Sequence, residues 1–187
     1  MINLKLVDNI INSTKAGFLI GIGCIANILV GGVPGAFLFS LGLLGVIRFG
    51  YHLYTGKIGQ VVFGQWSWLG VMLLVNLIAI GFLAILSGVD TSIIASRKMT
   101  ESFGQALFGS FMCGVLMYIG VEGGSPLYTV LAIMTFVLCG FDHCIANYFY
   151  LVGSGVYFTW RLPVWILGNS LGSWFLSKIK INKVGKV

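Results

Sequence analysis

Apolar residues occupy the chain in long runs separated by short polar clusters, and the order of runs and clusters predicts its elements. Residues 1–14 carry Ile2, Leu4, Leu6, Val7, Ile10 and Ile11 at helical spacing among polar neighbours, the pattern of a short amphipathic helix lying on a membrane surface. The first predicted span, 15–30, gathers Gly17, Gly21, Gly23 and Ala26, small residues that let a neighbouring helix approach closely in lipid. A Gly-Gly-Val-Pro-Gly turn at 31–35 reverses the chain into an apolar run, 36–47. That run spans only if the polar break after it and residues 58–63 are counted with it. The third span, 66–86, opens on Trp66 and Trp68 as interface anchors and holds Asn76 near its middle. Residues 87–102 form the longest polar connection, with Asp90, Arg97, Lys98 and Glu101. The fourth span, 103–121, is again rich in small residues; the fifth, within 127–156, is broken; the sixth, 160–176, carries Asn169 between Gly168 and Gly172.

Two polar interruptions stand out against this background. Gly140-Phe141-Asp142-His143-Cys144-Ile145-Ala146-Asn147 lies in the middle of the fifth run, and Gly50-Tyr51-His52-Leu53-Tyr54-Thr55-Gly56-Lys57 lies at the corresponding place in the first half. Charged and polar groups at membrane depth are costly unless they face a protein interior or a watery cavity, so both are functional candidates. A pair of interrupted helices in corresponding positions points to the central site of a transporter or channel. The second half repeats the order of the first: small-residue helix, broken helix, Asn-bearing helix. Three spans per repeat is an odd number, so the repeats, 15–86 and 103–177, enter the membrane from opposite sides. The predicted fold is an all-α integral membrane protein, six spans in a 3+3 inverted repeat of aquaporin-like type with two broken helices.

Composition agrees with this reading. Of 187 residues, 58% are hydrophobic and 9% charged, against about a quarter charged in soluble domains. The length is filled by one membrane domain, 1–187. The net charge of +6 does not imply nucleic acid, because the basic residues are scattered, with a cluster at Lys178, Lys180, Lys183 and Lys186 in a basic tail, 178–187. With an even number of spans, these lysines and Lys5, Lys15 and Lys57 fall on the side of the termini, against Arg97, Lys98 and Arg161 opposite. Both termini are therefore expected in the cytoplasm, the protein being multi-pass in the cell membrane. Cys24, Cys113, Cys139 and Cys144 lie singly in apolar runs, without metal-site spacing, and no removable signal peptide is expected. No nucleophile-base set, phosphate loop or metal cluster rises above chance, so neither enzyme activity nor a cofactor is expected.

The two interruptions and the last helix resemble the formate/nitrite transporter family. The segment 140–149 is similar to its Gly-Phe-(Glu or Asp)-His-(Ser or Cys)-Ile-Ala-Asn-Met-Phe signature. Leu53-Tyr54-Thr55-Gly56 resembles its Leu-Phe-Thr-Gly loop, and Gly168-Asn169-x-x-Gly its last-helix motif. The likeness covers residues 15–178. It implies a pentamer with a pore in each protomer, a central His at His143 faced by Thr55, and constriction residues Phe39 and Phe136 on the two sides of that His. It also implies an outer-vestibule cation at Lys98, and places Leu53 and Asn147 in the pore motifs. Four positions depart from the pattern: His52 where Asp or Glu is usual, Lys57 where Asn is common, Gly114 where the fourth helix offers Asn, and Arg48 as an added charge. They shift the lining toward positive charge.

The implied substrate is a small monovalent anion or its weak acid, formate, nitrite or similar. An anion crossing an apolar ring must shed water, a loss large enough to dominate the barrier. Histidine, with an ordinary pKa of about 6.5, is suited to share or exchange a proton with it. On this reading His143 binds the anion between Phe39 and Phe136, hydrogen-bonded with Thr55, and the partners are anion, proton, bilayer and further copies of the chain. Asp142 is expected to pair with His52 or Arg48, while Asn76 and Asn169 bond the freed backbone of the breaks. The alternatives are a channel for hydrosulfide, acetate, lactate or a neutral urea-like solute, and a redox subunit with His52 and His143 as haem ligands. The second fits less well, since such ligands sit inside continuous helices facing one another.

Overall fold

A computed structural model describes residues 4–61 and 66–179. The expected basic tail falls outside this range from residue 180 onward, as does the end of the run 58–63. In order, the elements are α1 (Leu4–Val30), α2 (Gly32–Phe49), α3 (Tyr54–Lys57) running into a 3₁₀ turn (Ile58–Gln60), α4 (Trp66–Ser87) and α5 (Ser92–Thr100). Then follow α6 (Phe103–Glu122), α7 (Pro126–Cys139), α8 (Cys144–Gly153) and α9 (Arg161–Lys178). The described residues contain no strand.

Four helices, α1, α2, α4 and α6, are long and apolar enough to cross a bilayer. The pair α7 and α8, bent by 48° at its break, forms a fifth such unit. The 18-residue α9 has a crossing length but is not among them, because Arg161, Asn169, Ser170, Ser173 and Lys178 dilute its apolar surface. The chain is thus an all-helical, multi-pass membrane protein.

Three expectations about boundaries are corrected. The described part of the amphipathic segment 1–14, residues 4–14, is not a separate helix, for nothing between Leu4 and Val30 breaks the ladder and α1 runs through 27 residues. Second, α2 begins at Gly32 and reaches 18 residues, long enough without help from the break. Pro34 sits in its first turn, where the missing N–H would have no helical partner, and Gly31 (φ 71°) and Gly32 (φ 55°) turn the chain from α1 into α2. Third, the connection 87–102 contains a helix, α5, opened by Thr91, whose carbonyl receives the Ala95 N–H at 2.9 Å.

Packing pairs the long helices and crosses the short ones. In the first half α1 packs on α2 and α4; in the second α6 packs on α7 and α9; α2 and α7 join the halves. The short helix of each half lies against long helices of the other, α3 on α6 and α9, α8 on α1 and α4. Small residues permit the closest of these approaches. A Cβ on Gly114 would strike the carbonyl oxygen of Asn169, and one on Gly172 the carbonyl of Phe111. In the first half, Gly17 would meet the Asn76 carbonyl oxygen at 2.9 Å. The departure at Gly114 therefore has a structural reason: an asparagine there would force α6 and α9 apart.

Candidate functional site: two helix breaks joined at a histidine

Both long helices before the breaks end in the same way. Gly50 (φ 68°) closes α2 and Gly140 (φ 70°) closes α7 in the left-handed conformation that glycine adopts without strain. The next amides, of Tyr51 and Phe141, reach back to the carbonyls of Val46 and Phe136, each at 2.9 Å. Extended backbone follows, and α3 and α8 start from Leu53 and His143 as their N-terminal caps.

One asparagine holds each break open. The Asn76 Oδ1 accepts the Tyr54 N–H at 2.9 Å, and its Nδ2 donates to the carbonyls of Ser13 (2.7 Å) and His52 (3.0 Å). The Asn169 Oδ1 accepts the Cys144 N–H at 2.8 Å, and its Nδ2 donates to the carbonyls of Ser110 (2.8 Å) and Asp142 (2.7 Å). The backbone amides of His52 and Asp142 bond the carbonyls of Asn12 and Gly109, both at 3.3 Å. Each asparagine thus satisfies the residues on either side of one cap, Leu53 in one half and His143 in the other. Backbone groups freed by a broken helix must find such partners in a membrane.

The two caps meet in the interior. Thr55 Oγ1 and His143 Nε2 lie 2.8 Å apart, both residues 1% exposed. The other ring nitrogen, Nδ1, accepts the Ala146 N–H at 3.2 Å and caps α8. An imidazole nitrogen that accepts carries no proton, so the neutral ring has its proton on Nε2, aimed at Thr55. The ring stacks on Phe136, with centroids 5.6 Å apart. Phe136 meets Phe39 edge to face, also at 5.6 Å. The expectation of one aromatic on each side of His143 is therefore corrected: Phe39 and Phe136 touch each other and form a single aromatic contact. Leu43, Val46 and Leu53, all buried, border a cavity that also touches Gly56, next to Thr55 in the chain.

Cavities open beyond both groups. One, of about 180 Å³, reaches Phe136, Asn147 and Tyr150 and is bordered by Arg97 and Lys98. The other, of about 140 Å³, is bordered by Leu43, Leu53, Gly56, Lys57 and Glu122; Glu122 accepts a short hydrogen bond from Gln60 there. The first cavity touches Phe136, which stacks on His143, and the second touches Leu53 and Gly56, near neighbours of Thr55 in the chain.

The charged groups differ from expectation. Lys98 is buried, its Nζ donating to Asp142 Oδ1 (2.6 Å), the Gly140 carbonyl (2.6 Å) and Glu101 Oε1 (3.1 Å). It is not a free vestibule cation. The Asp142 partner is accordingly Lys98, not His52 or Arg48, with Asn147 Nδ2 donating to the same oxygen at 2.7 Å. His52 turns its ring edge to Trp68 at 5.4 Å, and Arg48 borders a separate cavity with Leu44, Gly120 and Pro126. No contact brings the two imidazoles together. Burial raises the Glu101 carboxyl above its usual range; Lys98 opposes the rise and Asp142 adds to it. Leu43, Arg97 and Glu101 were not expected at the site. The first gives no chemical signal in the sequence; the other two could have been found only from α5 placing them beside Gly140.

No family model matches the chain. Among curated proteins it is 27% identical, over an alignment of 222 residues, to the "Uncharacterized transporter YrhG" of Bacillus subtilis (strain 168), covering 91% of this chain and 82% of that one. Among solved structures it superposes on a chain described as an FNT family ion channel with a TM-score of 0.79 at 23% identity, covering 91% of this chain and 87% of that one. A pentameric formate channel with formate bound gives 0.74 at 21%, covering 91% and 93%. Paired breaks, their asparagine clamps and this superposition over nine-tenths of the chain lead to one conclusion: the chain has the fold of the FNT family ion channels.

Proposed function

We propose that the chain is a formate/nitrite-type channel that passes small monovalent anions or their weak acids through a pore in each protomer, passively or with a proton. It forms a pentamer in the cell membrane. Each protomer is one domain whose six spans make two inverted repeats, 15–86 and 103–177, with both termini in the cytoplasm. It is not an enzyme and needs no cofactor.

The observation that carries this reading is the 2.8 Å contact between Thr55 and His143. It joins the short helices of two breaks next to a contact of two phenylalanines, with one cavity touching Phe136 and another touching Leu53 and Gly56. A hydrated ion does not pass an apolar constriction of this kind, because dewetting raises its energy. An anion that exchanges its last water for the Nε2–H of His143 and the hydroxyl of Thr55 loses less hydration energy. Sharing that proton in a hydrogen bond leaves the Ala146 cap on Nδ1 intact. Full donation from an imidazolium requires a proton on Nδ1 as well, and that proton displaces the Ala146 N–H from the cap. The two modes are told apart by pH, because only an imidazolium that gives up its proton makes the rate follow the titration of His143.

The test is uptake of formate, nitrite, acetate and hydrosulfide into liposomes, with internal pH recorded, for the wild type and His143→Asn between about pH 5 and 8. The wild type should carry at least one anion with a pH-dependent rate, and the Asn variant should lose that dependence. A variant with the wild-type profile would make His143 only the cap of α8. If the wild type carries none of the four, the channel reading fails.

A further inference from the structure

With Lys98 consumed by Asp142 and Glu101, the vestibule next to Phe136 needs another source of attraction for an anion. The triad of Lys98, Asp142 and Glu101 has a formal charge of one negative, which repels anions from a cavity that Lys98 borders. Arg161 does not correct this from the cavity side, because its guanidinium donates to the Glu101 carbonyl at 2.7 Å and 3.2 Å and lies over the Trp160 ring. Arg97 is different. It is exposed, and among the described residues its guanidinium makes no ion pair. It borders both the cavity that reaches Phe136 and the larger one formed with Glu101, Gln105 and Phe108. Its position is also built into the break: the space a Cβ on Gly140 would fill is bounded by Arg97 Nη2 at 3.0 Å. The glycine that bends the helix thereby makes room for the guanidinium at the bend.

Resting on the channel reading above, we propose that Arg97 is the anion-capturing cation of this mouth, collecting the anion in place of the neutralised Lys98. A unit charge acting over about 7 Å changes the local anion concentration about threefold in water, and reversing its sign squares the effect to about tenfold. The effect belongs to the capture step, so it fades as salt shortens the screening length to about 3 Å near 1 M. The cavity bordered by Lys57 and Glu122 carries one charge of each sign and is not lined by Arg97.

The experiment measures initial formate uptake into liposomes, well below saturation, in low and high salt. Arg97→Gln should be slowed about threefold and Arg97→Glu about tenfold at low ionic strength, both converging on the wild type in high salt, with Arg97→Lys near wild type. A second arm removes any concern about folding. In a Cys139→Ser background, which leaves only buried native cysteines among the described residues, Arg97→Cys is modified in detergent with a cationic or an anionic methanethiosulfonate and then reconstituted. The cationic adduct should restore the rate and the anionic one depress it further. Stoichiometric labelling with equal rates for the two adducts would overturn the proposal, as would losses independent of salt. Wild-type liposomes that carry none of formate, nitrite, acetate and hydrosulfide would sink the underlying reading and this one together; where another of the four is carried in place of formate, it serves as the probe. Normal flux indifferent to the charge at position 97 sinks this one alone.

Discussion

Replacing Asn169 by alanine tests whether the breaks are held by their amide clamps. The variant removes three hydrogen bonds, one from the Cys144 N–H and two to the carbonyls of Ser110 and Asp142, all buried. A buried hydrogen bond contributes about 0.5–1.5 kcal/mol net, and side-chain bonds between membrane helices average about 0.6. The three together are therefore worth about 2–4 kcal/mol. Asn76→Ala removes the same number in the first half and should cost a similar amount. The informative variant is Asn169→Asp. It keeps an acceptor for Cys144 but turns the two donors into a carboxylate oxygen facing two carbonyls, so it should be at least as damaging as alanine. Equilibrium unfolding in mixed micelles measures all three, with formate flux as the functional readout. Asn169→Ala within about 0.5 kcal/mol of wild type, or Asn169→Asp clearly milder than Ala, would show that packing and not the amide holds His143 in place.

Gly114→Ala should destabilise by about 1–3 kcal/mol or prevent assembly, since its Cβ meets the Asn169 carbonyl; Gly70→Ala, with open space around it, should be neutral or stabilising by up to about 1 kcal/mol in the same unfolding assay. Phe136→Ala removes both the Phe39 contact and the stack on His143, so larger anions should pass at a higher rate relative to formate, measured by uptake competition. Glu101 has its carboxyl raised by burial, so the folded state holds that proton more tightly than the unfolded state. Stability then falls as pH rises from the unfolded to the folded pKa. Glu101→Gln should flatten this part of the stability profile, and a profile unchanged by the substitution counts against the shift.

Much of the site was legible because the membrane amplifies polar signals. Asp142 and His143 in an apolar run, and Asn76 and Asn169 near the middles of two others, have few roles apart from holding irregular backbone or lining a pore, and the clamps confirm the first for both asparagines. Helix limits were less legible where a residue has two meanings. Pro34 reads as a turn in a linear scan, yet it fits the first turn of α2, and that choice decides whether the helix spans. Pairing across elements was hidden altogether. Lys98 and Asp142 lie 44 residues apart, and only the folding of α5 onto the Gly140 bend joins them. Position in the sequence could not show that Phe39 and Phe136 touch each other.

The two halves repeat their backbone and differ in their side chains. Tyr51 and Phe141, Leu53 and His143, Tyr54 and Cys144 occupy equivalent places around equivalent hydrogen bonds. Those bonds use only main-chain atoms of the breaks and one asparagine each, so the side chains between the glycine and the clamp are free to diverge. At the cap, one half supplies an apolar wall in Leu53 and the other an imidazole in His143. Before the cap, His52 packs on Trp68 while Asp142 fixes Lys98. Two identical caps would give either two histidines competing for one proton in a buried space or two leucines with no hydrogen bond for an anion. On the proposed channel reading, a single histidine facing the Thr55 hydroxyl would give a dehydrated anion one donor and leave the other half of the wall apolar. Asymmetric chemistry on a repeated scaffold is thus what permits a single polar station between the phenylalanine contact and the leucine-lined cavity.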